Sequence, residues 1–294
     1  MGKISKLSIF ISFLSLWIVS YLKTDAENII GFFLIFSFGI LHGANDLVII
    51  NHLKIKKEQK FVQILISYIV LVLFAAVIFI IIPSLALLLF IVVSAYHFGE
   101  QHWQELINSK PKWLTFFFKF NYGMVILFLL FYFHEQEVQI IIQAITSYKI
   151  ELKLISSFLI IQIITLAVLF LYFSLKSLNF KQNCIIELFL FVMISILFKI
   201  GSLIWGFTIY FIFWHSIPSL YDQITFLYGK YSFSNFILYF KSAFIYWLIS
   251  LLGIVILYYF FKDKKIFDAI FFSFLAAITF PHAWVISKMF KKKA

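Results

Sequence analysis

Arginine is absent from this chain, and cysteine, proline and acidic residues are scarce: one Cys, four Pro and thirteen Asp plus Glu among 294 residues. A lone Cys184 cannot close an internal disulfide, so cysteine usage leaves the redox compartment unconstrained. All 24 basic residues are lysines, and phenylalanine reaches 41, a bias that reads as much like an AT-rich genome as like selection. The choice of Lys over Arg therefore carries little functional information. A continuous basic stripe is also lacking. The lysines punctuate apolar runs, the pattern of loop charges that orient a membrane protein, and this argues against a nucleic-acid partner despite the net charge of +11. No small-residue cleavage site separates the first apolar run from Lys23 and Asp25, so residues 5–22 are expected to form an uncleaved helix rather than a signal peptide.

Long apolar runs are what the chain does have. With 63% hydrophobic residues and a mean hydropathy of +1.02, its windows repeatedly exceed the ~18 uncharged residues that mark a spanning helix. The predicted fold class is all-α: a polytopic transmembrane bundle of about ten helices, forming one integral-membrane domain over residues 1–294. The segments fall near 5–22, 29–51, 61–82, 84–103, 113–133, 153–175, 183–200, 201–217, 236–261 and 266–289. The divisions at Pro83 and at Lys199–Ser202 are also compatible with kinked or re-entrant elements. The stretch 134–152, HEQEVQIIIQAITSYKIEL, is too short in its apolar middle to span and reads as an interfacial amphipathic helix.

Placing the loop 54–60, KIKKEQK, in the cytoplasm puts the N-terminus, Lys110, Lys112, Lys176, Lys181, Lys230 and the terminal KKKA on the same side. Lys149, Lys153 and the DKK at 263–265 then fall outside. The expectation is a multi-pass protein of the cell membrane with both termini cytoplasmic.

Four histidines ride on these runs: His42 in FGILHGANDL, His97 in VVSAYHFGEQHW, His215 in FIFWHSIPSL and His282 in ITFPHAWVISK. Ionisable groups in spanning segments are costly to place and are functional-site candidates by default. In the predicted topology all four helices run the same way, and each histidine sits about 14 to 17 residues along its helix, ~20–25 Å at ~1.5 Å per residue. Imidazoles at one level of a bundle are what a metal site between facing helices requires. A haem held by paired histidines, or a proton or metal pathway in a transporter, would use the same residues.

Asp46 follows His42 by four residues and Glu100 follows His97 by three, so on continuous helices each would share its histidine's face and could orient it. His102 is read as a solvated helix end, and His52 and His134 as exposed beside loop charges. Gly39, Gly43, Ser94, Ala95 and Gly99 would let helices approach closely near the histidines. Pro218 and Pro281 could unwind or kink their helices locally. Tyr96, Trp103, Trp205, Trp214 and Trp284 would suit a long apolar polyene, although aromatic belts and composition alone account for them.

Taken together and in order, HGANDL at 42–47, SAYHFGEQHW at 94–103, WHSIPSL at 214–220 and TFPHAWV at 279–285 resemble the Brp/Blh family of bacterial and archaeal membrane β-carotene 15,15′-dioxygenases. The resemblance runs from about residue 29 to 290. It implies a non-haem Fe(II) enzyme that cleaves the central double bond of β-carotene, or a related carotenoid, with O₂ to give retinal. Membrane lipid would surround it, and a retinal-binding rhodopsin is a candidate acceptor of the product. By position, His42, His97 and His215 look like iron ligands, and Tyr96 and Trp214 would line the substrate. Two places depart from the family pattern: Ser219, preceded by Pro218, stands where a further histidine ligand is expected, and His102 stands at a carboxylate position. His282 is the favoured replacement ligand, with His102 as the alternative; a changed substrate or an inactive relative would also account for the loss. Membrane desaturases need more histidines than the seven present.

Overall fold

The computed structural model describes residues 3–53, 61–104, 111–260 and 264–293. The loop 54–60, Lys110 and residue 263, on which part of the predicted orientation rests, lie outside the described residues. Among these residues no strand occurs. The helices are α1 (Lys3–Val19), α2 (Thr24–Leu34), α3 (Asp46–Leu53), α4 (Phe61–Ile81), α5 (Pro83–His102), α6 (Lys112–Phe133), α7 (Glu135–Thr146), α8 (Leu152–Lys176), α9 (Leu178–Ile200), α10 (Leu203–Ile209), α11 (Ile217–Tyr228), α12 (Phe233–Phe260) and α13 (Lys264–Lys293). Two π-helical turns, Ile35–Gly39 and Tyr210–Ser216, follow α2 and α10.

Hydrocarbon offers no partner to a backbone N–H or C=O, so a chain this apolar satisfies its backbone within helices. Eight helical stretches among the described residues are long and apolar enough to cross a membrane, which marks a membrane protein. α4 carries exposed Ile66, Val70, Leu73, Phe74 and Ile80. Such faces suit lipid rather than water.

Two predicted segments differ from a plain span. Residues 5–22 form the shorter helix α1, and 29–51 is not one helix but α2, a π-helical turn, a run of turns over 42–45 and α3. The other uncertain divisions resolve as real breaks. Only Ile82 separates α4 from α5, and Pro83 opens α5, where its missing N–H costs nothing. At the second, Ser202 caps α10: its Oγ accepts the Trp205 N–H at 3.2 Å and donates to Asn28 Oδ1 at 3.0 Å. The Ser202 N–H itself donates to buried Glu27 at 2.7 Å. The 134–152 stretch forms the amphipathic helix α7, burying Val138 and Ile141 while Ile140 stays exposed.

The chain divides into two compact units. The first comprises Met1–Ile35, Ala95–Gln139 and Ile150–His215. Here α6 packs on α8 and α9, and α2 on α10. α5 crosses α6 at backbone distance: a Cβ built on Gly99 would fall 1.8 Å from the Lys119 carbonyl oxygen, and one on Gly123 would fall 1.8 Å from that of Ala95. The small residues beside His97 thus seat α6.

The second unit comprises Phe36–Ser94, Ile140–Lys149 and Ser216–Ala294. Its core sets Ile49 and Leu53 of α3 against Val285, Ile286 and Met289 of α13. Another cluster joins Leu41, Ile224, Tyr239 and Ala243, and a third joins Phe79, Ala86 and Ala276. α13 runs on through Pro281 without unwinding. The ring still removes the N–H that would reach the Ala277 carbonyl.

The α5–α6 crossing sets a test. Gly99→Ala or Gly123→Ala is expected to destabilise the protein by at least the ~1–3 kcal/mol typical of overpacking, because backbone must move. Gly253→Ala, with nothing within 4 Å of the added methyl, is expected to leave the melting temperature in detergent unchanged or slightly raised.

Candidate metal centre

His42 lies where the second segment breaks. After the π-helical turn, Gly43 N–H bonds to the Ile40 carbonyl at 3.1 Å, Ala44 N–H to Leu41 at 3.2 Å and Asp46 N–H to Gly43 at 3.3 Å, a chain of tight turns. Such a break strands carbonyls, and side chains of the second unit meet them. Gln223 Nε2 donates to the His42 carbonyl at 2.8 Å and to Ser219 Oγ at 3.0 Å. The Tyr239 hydroxyl lies 3.2 Å from the same carbonyl and donates to Gln223 Oε1 at 2.7 Å. Asn45 Nδ2 reaches the Tyr239 carbonyl at 2.8 Å, and Ser242 Oγ holds Asn45 Oδ1 at 2.9 Å. Ser219, Gln223, Asn45 and Tyr239 are fully buried, so these bonds form without competition from water.

The break also redirects Asp46. On a continuous helix it would share the face of His42; instead it opens α3, and its Oδ1 sits 2.8 Å from His282 Nδ1 on α13. Its Oδ2 accepts the Tyr68 hydroxyl of α4 at 2.7 Å. The His42 and His282 rings meet edge to face, centroids 4.7 Å apart. His42 Nδ1 bonds to the Gly39 carbonyl. In both imidazoles an oxygen acceptor therefore engages Nδ1, which assigns the proton there and the lone pair to Nε2. Nε2 is the nitrogen each ring can give to a metal.

The first unit holds the other pair. His97 on α5 and His215 in the π-helical turn have ring centroids 4.6 Å apart, at 75°. Phe98 lies edge-on to His215 at 4.8 Å, and Phe211 stacks on it at 5.7 Å. A π turn widens a helix by one residue and is common at functional sites. Here α1 ties it down: Ser8 Oγ donates to the Phe213 carbonyl at 2.5 Å and Trp214 Nε1 donates to Ser12 Oγ at 3.0 Å. Trp214 is buried, bonded to α1. Tyr96 is half-buried, stacked on Phe116 at 4.5 Å, and its hydroxyl donates to Glu100 Oε1 at 2.9 Å. All four motif histidines, Asp46 and Glu100 are buried.

His102 corrects its sequence reading. It is not a solvated helix end: its Nε2 lies 3.0 and 3.1 Å from the Glu187 carboxylate oxygens, and its ring stacks on Tyr122 at 4.8 Å. Tyr122 also donates to Glu187 at 3.3 Å. His134 is half-buried rather than exposed, because it ends α6 against the Phe198 carbonyl and near Glu27; burial holds its pKa below the ordinary value. His52 is exposed, as expected. Sequence reasoning missed Tyr68, Glu187, Gln223 and Tyr239. Of these, Glu187 left a signal, a carboxylate inside the apolar run of α9.

A family model described as beta-carotene 15,15'-dioxygenase matches residues 33–290. No curated protein and no solved structure matches the chain.

The Glu187 cluster sets a second test. Glu187→Ala strands a buried Tyr122 hydroxyl and the His102 ring, and is expected to lower stability by about 1–3 kcal/mol. Glu187→Gln, which keeps one acceptor oxygen, is expected to lose less in the same detergent melts.

Proposed function

Because the chain belongs to the beta-carotene 15,15'-dioxygenase family, we propose that it cleaves the central double bond of β-carotene or a related carotenoid with O₂ to give retinal. His42, His97, His215 and His282, the histidines of the four motifs, hold the Fe(II) in this reading. The observation that carries it is the pairing of buried imidazoles, His42 with His282 and His97 with His215, in the four motifs of the family resemblance. The donor set fits: neutral imidazole is an iron ligand, and in His42 and His282 the Nδ1 contacts turn the lone pair to Nε2. The chemistry such an ion supplies is activation of O₂ at an open coordination position.

The protein's own part is placement. Splitting a C=C bond with O₂ into two carbonyls consumes no proton, so no side chain need act as a general base. Asp46 orients His282. Ser219, at the family's further ligand position, is occupied as the acceptor of Gln223, and His282 takes its place. Tyr96 and Trp214 flank His97 and His215 in sequence and limit how far a polyene can slide. Buried apolar walls keep water out of the reaction. The protein resides in the cell membrane with cytoplasmic termini, draws its substrate from lipid and passes retinal to an acceptor such as a rhodopsin. The two rings of either pair are not the axial ligands of one haem, because edge-to-face contact leaves no room for a porphyrin plane between them.

Co-expression in β-carotene-producing cells is the test. The wild type is expected to bleach the orange colour and yield retinal by chromatography, and His97→Ala is expected to keep the colour. Well-expressed, iron-loaded protein in cells that stay orange would reject the substrate. Separately, His282→Ala is expected to lower the iron content of purified protein; unchanged iron would reject its ligation.

A further inference from the structure

Asp46 is a shared carboxylate. Oδ1 serves His282 Nδ1 at 2.8 Å, and Oδ2 accepts the Tyr68 hydroxyl at 2.7 Å. The three groups come from α3, α13 and α4, which pack on one another in the second unit. Tyr68 lies in α4, the most apolar of the candidate spans among the described residues, where only Gln63 and Ser67 also carry polar side-chain atoms. A phenol there has few alternative partners. The Asp46 and His282 side chains are 2% and 5% exposed, so water does not replace a missing bond at the carboxylate.

We propose that Tyr68 is a positioning residue for the metal ligand His282, acting through Asp46. The inference rests on the reading of His282 as an iron ligand. A carboxylate held by one hydrogen bond can swivel about its Cβ–Cγ bond. Held by two, one at each oxygen, it presents a fixed lone pair to Nδ1 and fixes the imidazole plane. The phenol does a second thing: a charge-assisted O–H···O⁻ bond draws electron density toward Oδ2 and so moderates the pull of Oδ1 on the Nδ1 proton. That pull sets how strongly Nε2 donates to a metal. Tyr68 therefore governs both the direction and the strength of the His282 ligand without touching the ion.

The test uses Co(II) as probe on full-length protein in detergent, reading affinity and the visible ligand-field bands. Tyr68→Phe lets Oδ1 pull harder on the Nδ1 proton, but the loss of ring orientation outweighs this gain in donor strength: Co(II) binding is expected to weaken about tenfold, the lower end for residues that orient a ligand, and the bands to shift while the metal-free melting temperature holds. Wild-type affinity with a wild-type spectrum in Tyr68→Phe overturns the inference. Should the metal-free protein melt lower, Asp46→Ala and Asp46→Ala/Tyr68→Phe decide instead: with no polar group at position 46, loss of the phenol is expected to have no further effect on affinity, and a further loss overturns it. A wild type that binds no Co(II), or a His282→Ala that binds it as before, overturns the ligand reading and the inference together. Loss in His282→Ala with unaffected Tyr68→Phe overturns the inference alone.

Discussion

A helix interrupted inside a packed core must find partners for the backbone groups it releases, and the protein answers this demand with side chains. Gln223 and Tyr239 converge on the His42 carbonyl, Ser8 takes up the Phe213 carbonyl, and Glu27 receives the Ser202 N–H. Each of these repairs adjoins an irregular turn, and two of the turns carry a motif histidine. The irregularity is what lets an imidazole leave the regular face of its helix. The cost, a buried polar network, is met at the His42 break by groups that also bond one another, Gln223 to Ser219 and Tyr239 to Gln223, which makes the network rigid rather than merely tolerated.

The bundle was legible from hydropathy because hydrocarbon imposes one rule on every span. α4 to α6, α8 to α10, α12 and α13 lie close to the apolar runs, whereas α11 carries the 201–217 run on to Tyr228, and the amphipathic α7 and the breaks at Pro83 and Ser202 stand near polar or proline signals. The break at 42–45 was not legible. HGAND sits between two apolar runs of ordinary composition, and what opens it is Gln223 and Tyr239, nearly two hundred residues away. Tertiary partners of that separation leave no local trace.

The site was read by residue type and misread by neighbour. Helical spacing assigns Asp46 to His42, and the break instead sets its Oδ1 against His282 Nδ1. Glu100 meets Tyr96, one turn back, a pairing that spacing alone could have offered. His102 was misread because polar residues at a helix end imitate solvation; Glu187, buried on another helix, turns the imidazole inward. In each case the sequence shows which groups are expensive to bury, and only the fold shows who shares the expense.

The π-helical turn Tyr210–Ser216 carries one residue more than an α-helical path of the same rise, and everything downstream is phased by it. A helical wheel drawn without interruption from Leu203 would rotate Ser219 and Gln223 by about one residue, ~100°, from the face they occupy.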